Sequence, residues 1–187
     1  MNHFKLFHKL KRSNKGVSGI EFSLLLPVLA LLVFGMVETV RYVMVYYKTN
    51  NASRTLSDLI ARSDGINESE VNEIISATSH ILDPFDFNND THVIISSVSA
   101  DGVGTTINWS RTSNTYFNAP TRLAVNNEIV LPNNFTLTPG ENIIVAEVFH
   151  NFSTFIAPDI FGNQLIYSAR LTRPRLGGLD NTPSQPD

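Results

Sequence analysis

Gly16-Val17-Ser18-Gly19-Ile20-Glu21-Phe22 sets a lone carboxylate at the mouth of an apolar run. A carboxylate at membrane depth costs about 2.5 to 3.5 kcal/mol, and such a group normally pairs with a cation or marks a function. Cutting the chain after Gly16 would create the cation, because the freed amine of Val17 is positively charged and Glu21 becomes the fifth residue of the shortened chain. The chemistry expected here is peptide cleavage between Gly16 and Val17. Glu21 would then pair with that amine in the same or a neighbouring subunit.

Other chemistry-bearing residues point to ordinary structural roles. Asp86-Phe87-Asn88-Asn89-Asp90 imitates the start of a calcium loop, but Thr91 replaces the turn glycine and Ser97 stands where a bidentate glutamate belongs. His80, His92 and His150 lack metal-ligand spacing, and His3 and His8 precede the apolar run. There is no nucleophile elbow, phosphate loop or paired-histidine zinc helix. No catalytic residue, metal or cofactor is therefore assigned. Trp109 with Ile107 reads as the inward face of a strand, and Phe149, Phe152, Phe155 and Phe161 read as core or sheet-edge packing. Glu147, among Val145, Val148 and Phe149, and Arg170, after Tyr167 and Ala169, are expected to form a charge pair across neighbouring strands.

The elements that must carry these residues begin with the run itself. Phe22 to Val37 has no charged side chain, and counted from Val17 the stretch reaches the roughly 20 residues that a helix needs to cross hydrocarbon. Lys5, Lys9, Lys11, Arg12 and Lys15 precede it, and the next basic residue after Arg41 is Lys48, so the positive-inside rule places the N-terminus in the cytoplasm and exports the rest. A cleaved signal peptide fits less well. No small-residue cleavage site follows Val37, where Glu38, Arg41, Tyr42, Tyr46 and Tyr47 look instead like an interfacial belt. Pro27 would kink the helix by removing one hydrogen bond.

Composition agrees with one exported domain on an anchor. The chain has 187 residues, a formal net charge of -3 and no cysteine, which excludes disulfides and thiolate metal or redox sites. An acidic balance without a basic patch on the exported part argues against a nucleic-acid partner.

The N-terminal pattern resembles the prepilin-peptidase site of type IV pilins of the Flp, or tight-adherence, kind. Leu24-Leu25-Leu26-Pro27 and Phe34-Gly35-Met36-Val37-Glu38 are similar to the TadE-like pseudopilins, and Val98 to Gly102, Asn108 to Ser110, Val145 to Val148 and Leu171 to Arg175 look like weaker landmarks of that family's exported domain. The resemblance implies a minor pseudopilin of the bacterial inner membrane. It implies processing by a prepilin peptidase that reads Gly16, Val17, Glu21 and Phe22, and partners among sister pseudopilins and the pilus assembly machinery. The competing expectation is a single-span, membrane-anchored exported domain that binds or hydrolyses a ligand.

Hydrophobic periodicity supplies the organisation independently. Val45, Ala52, Leu56, Leu59 and Ile60 continue the helix to Arg62 or Ser63, and Gly65 suits its end. Asn67 with Glu70 starts a second helix whose apolar face is Val71, Ile74, Ile75, Thr78 and Leu82. Strands are predicted over 92–99, 105–111, 128–131, 142–152 and 164–171. The fold class expected is α+β and pilin-like, with a long membrane-spanning helix, a short helix and an antiparallel β-sheet. Its predicted parts are a basic leader at 1–16, a membrane helix and its continuation at 17–47, an exported domain at 48–176 and a disordered tail at 177–187.

Overall fold

The computed structural model describes residues 17–63, 65, 67–125, 128–156, 158, 162–175 and 179. Helix α1, Val17–Arg62, is continuous through Pro27. The chain divides into two compact units between Arg41 and Tyr42. In the second unit Tyr42 meets the Phe152 ring edge-on at 5.4 Å, and Val45 is fully buried with Phe152 and Ile166.

In the second unit, Val45, Thr49, Ala52, Ser53, Leu56, Ser57, Ile60 and Ala61 form one buried stripe of α1 at helical spacing. Helix α2, Glu68–Leu82, opens with the expected capping box, in which the Asn67 side chain accepts from the Glu70 N–H and the Glu70 carboxylate accepts from the Asn67 N–H. At its other end Lys48 Nζ donates to the Ile81 carbonyl at 3.0 Å, a cation on carbonyls that the helix itself leaves unpaired. Asp86 caps the single turn α3, Phe87–Asp90, by accepting from the Asn89 N–H. Its carboxylate thus serves the backbone where the sequence imitates a calcium loop.

Strands β1, Thr91–Ala100, β2, Thr105–Thr112, β5, Asn142–Ser153, and β6, Asn163–Thr172, form an antiparallel sheet in the order β2-β1-β5-β6. A two-residue ladder pairs β3, Ala124–Val125, with β4, Glu128–Ile129. On one face, Val93, Ile95, Ile144, Ala146 and Val148 pack beneath Ala52, Leu56 and Ile60 of α1 and Val71 and Ile75 of α2. The other face is not open. Val98, Ile143 and Val145 lie with Leu123 and Leu131, and Ile94 and Phe149 with Ala119, so the connection between β2 and β5 covers it. With both faces covered, β1 and β5 are buried nearly end to end, their polar residues Thr91, His92, Ser96, Ser97, Glu147 and His150 included.

The register contains one bulge. Ser97 opposes Trp109 and Val98 opposes Ile107, leaving Asn108 as the extra residue. Trp109 therefore joins the helix-side core and Ile107 the opposite cluster, although simple alternation puts them on one face. Of the four phenylalanines read as packing residues, Phe149 and Phe152 are buried, Phe155 is exposed, and Phe161 lies outside the described residues. The tail expected to be disordered also lies outside them, except Leu179. That residue is 1% exposed and belongs to the helix-side core.

Candidate functional site

The predicted processing site sits at the head of α1. Gly16 and the basic leader lie outside the described residues, and Val17, Glu21 and Phe22 are exposed helical positions. Val17 and Glu21 are four residues apart, which places them one above the other on one helix face. Around and after them the helix shows bare hydrocarbon. Ile20, Phe22, Leu24, Leu31 and Met36 are each at least 60% exposed, and none of the most apolar 18-residue stretch is buried. Burying a single such side chain is worth about 1.5 to 3 kcal/mol. A surface of this kind needs another apolar phase, and by length and composition α1 can cross a membrane. Toward its end the first polar contacts appear: Thr39 Oγ1 donates to the Gly35 carbonyl at 2.8 Å, and Arg41 pairs with Glu38 at 3.3 Å.

The packed unit holds a second polar constellation, which the sequence only half reveals. Glu147 is fully buried in the central strand β5. It accepts hydrogen bonds from the Thr121 hydroxyl, from the Arg122 N–H at 2.9 Å and from the Tyr167 hydroxyl at 2.9 Å. The Arg122 guanidinium lies 4.3 Å from the Tyr167 ring centre, a cation over an aromatic face. Burial pushes the Tyr167 phenol up, and the Glu147 charge beside it pushes it further, so it stays a donor at ordinary pH. The expected Glu147–Arg170 pair is not formed. Ala169 stands opposite Glu147, whereas Arg170 stands opposite Ala146, and alternation sends Arg170 to the other face, where it is exposed. Two of the three donors, Thr121 and Arg122, belong to the connection that covers the sheet and the third, Tyr167, to β6, an arrangement suited to fastening that connection to the sheet.

Two histidines at one end of the sheet are buried as neutral rings. His150 Nδ1 lies 2.9 Å from Thr91 Oγ1, and its ring meets Phe85 edge-on. Burial lowers its pKa to about 4, against a weaker opposing pull from Asp86. His92 Nδ1 lies 3.3 Å from Ser113 Oγ and 3.4 Å from Thr115 Oγ1, and burial lowers its pKa too. Among the described residues no group of three or more histidine, aspartate or glutamate side chains is placed to hold a metal ion.

Comparison with known families decides which of these features carries the resemblance. A family model described as TadE-like protein matches residues 16–57. The matched stretch opens on Gly16, includes Glu21, Phe22 and Pro27, and ends on the buried stripe of α1 at Ser57. This segment is thus TadE-like, as its motif suggested, while the sheet and its Glu147 constellation lie outside the match. No curated protein and no solved structure matches the chain.

Proposed function

We propose that this protein is a minor pseudopilin that acts in assembly of a tight-adherence, or Flp, pilus. The observation that carries the proposal is the TadE-like match at 16–57, opening on Gly16 and running along a helix whose most apolar stretch is unburied. A prepilin peptidase cuts after Gly16 from the cytoplasmic side, the basic leader keeps that end inside, and the packed unit is exported. The helix anchors the subunit in the inner membrane and later packs against sister pseudopilins, which replace lipid around its apolar side chains. The role is structural, with no bond made or broken by this chain and no cofactor required.

The N-terminus of the mature chain tests this. Mass spectrometry of the protein from its native membrane should find a chain beginning at Val17. Gly16→Val should leave the full-length chain, because a branched side chain at the cut would not enter a site that accepts glycine. An unaltered Met1 in the parent, a cut beyond Val37, or normal shortening of Gly16→Val would each refute the proposal.

A further inference from the structure

Strand register gives the packed unit two ends. At one, Ala100 opposes Thr105 beside the tip between β1 and β2, and Ile144 opposes Thr172. At the other, Thr91 opposes His150 and Ser153 opposes Asn163. Helix α1 enters the unit at this second end, since Tyr42 and Val45 both meet Phe152 near the close of β5. Two aromatic side chains from separate connections stand there in the open. Tyr116 is 88% exposed, and its N–H donates at 2.8 Å to the carbonyl of Asn88, in the turn α3 that leads into β1. Phe155 is 79% exposed and lies two residues beyond β5. Among the described residues these are the most exposed aromatic side chains, and Tyr46 and Tyr47 of α1 add two more exposed rings close to Tyr42 in the chain.

Chain connectivity decides what these rings face. Val37 closes the charge-free apolar run, and five residues of continuous helix, about 8 Å, lead from it to Tyr42. The polar layer on either side of the hydrocarbon is about 5 to 8 Å deep. A helix that crosses the bilayer along that run therefore brings the entry end to the headgroups, with no linker to hold it away. Aromatic side chains collect at that level, where an apolar ring meets a wet, polar surface. Charge does not draw the end there, because Asp86 and Asp90 lie beside α3 and the nearby Lys48 ammonium donates to the Ile81 carbonyl.

We propose that the entry end of the packed unit is a lipid-binding surface, on which Tyr116 and Phe155 seat the unit in the headgroup layer of zwitterionic phospholipid. The proposal rests on α1 crossing a membrane, and on neither pilus assembly nor cleavage at Gly16. The chain has no cysteine, so Tyr116→Cys, Phe155→Cys, Val103→Cys and Leu32→Cys can each carry a single nitroxide label in the full chain. All four positions are exposed, so no core side chain is replaced; Val103, 97% exposed in the β1–β2 tip, reports on the far end and Leu32 on the apolar stretch. In phosphatidylcholine vesicles, electron paramagnetic resonance compares collisions with oxygen, which concentrates in lipid, and with a water-soluble nickel chelate. Leu32→Cys should read as hydrocarbon and Val103→Cys as bulk water, while Tyr116→Cys and Phe155→Cys should lie within about 8 Å of the hydrocarbon edge. Adding Tyr116→Asp to Phe155→Cys should move that label toward water, and adding Tyr116→Phe should not. Labels at 116 and 155 as open to nickel as Val103→Cys overturn the proposal. Labels closed to both reagents overturn it too, because protein rather than lipid would then cover the end, and so does a Phe155→Cys label that Tyr116→Asp leaves in place. Any of these results with Leu32→Cys in hydrocarbon removes the seat and leaves the anchor standing, whereas Leu32→Cys in water removes both.

Discussion

Glu147 shows how much one buried charge can organise. Its carboxylate has no cation within ion-pair distance among the described residues, yet three donors from two different segments converge on it. Hydrogen bonds to a charged group are worth about 1.5 to 3 kcal/mol, and removing the acceptor strands the donors in a dry interior. Glu147→Ala should therefore destabilise the packed unit by about 3 kcal/mol or more, and Tyr167→Phe by about 1.5 to 3 kcal/mol, in urea titrations followed by Trp109 fluorescence. The double variant should lose less than the sum, with a coupling on the order of 1 kcal/mol. Arg170→Ala should change stability by no more than about 0.5 kcal/mol and show no coupling to Glu147, since it is exposed on the other face. A Glu147–Arg170 coupling as large as the Glu147–Tyr167 one would contradict the observed register.

Elements meet at His150, whose ring on β5 touches Thr91 at the start of β1 and Phe85 just before α3. Its folded pKa of about 4 lies below the ordinary 6.5, so the unfolded chain takes up the proton first as pH falls. The stability that comes from keeping the ring neutral is whole above pH 6.5, declines between 6.5 and about 4, and has gone below that; His92 acts in the same direction. The loss should be on the order of 3 kcal/mol, and His150→Gln should flatten the denaturation midpoint across that window. An unchanged slope in His150→Gln would show that other groups govern the acid response.

The same elements show what a sequence can reveal. Both long helices and the four main strands are legible because caps and periodicity are local, as with Asn67 and Glu70 of α2. Asn108 defeats alternation because a bulge is set by the partner strand. The acceptor role of Glu147 is hidden because Thr121 and Arg122 come from a connection with no periodic signal. Leu179 is hidden for a similar reason, lying among polar, glycine and proline residues that read as tail.

At the scale of the whole molecule, the chain combines a packed unit with a helical segment whose apolar side chains are exposed. Glu21 belongs to that segment, and Val45 is the first buried residue along α1, so Glu21 contributes nothing to the core of the packed unit. Glu21→Gln should leave the unfolding midpoint of the packed unit within about 0.5 kcal/mol of the parent, the range of substitutions remote from packing. Its effect should appear only when subunits come together in the membrane. There an ionised carboxylate costs a few kcal/mol unless a cation meets it, and the Val17 amine freed by cleavage is the cation proposed. An amine brought by a neighbouring subunit would neutralise both charges and fix the stagger between adjacent helices. Glu21→Gln keeps the size and removes the charge, whereas Glu21→Asp keeps the charge and shortens its reach. Both should reduce pilus number on cells, the first more strongly, while mass spectrometry still finds mature chains beginning at Val17. If Glu21→Gln cells with correctly processed chains carried pili at the parental level, the pairing would be wrong, and Glu21 would be left as a residue read by the peptidase.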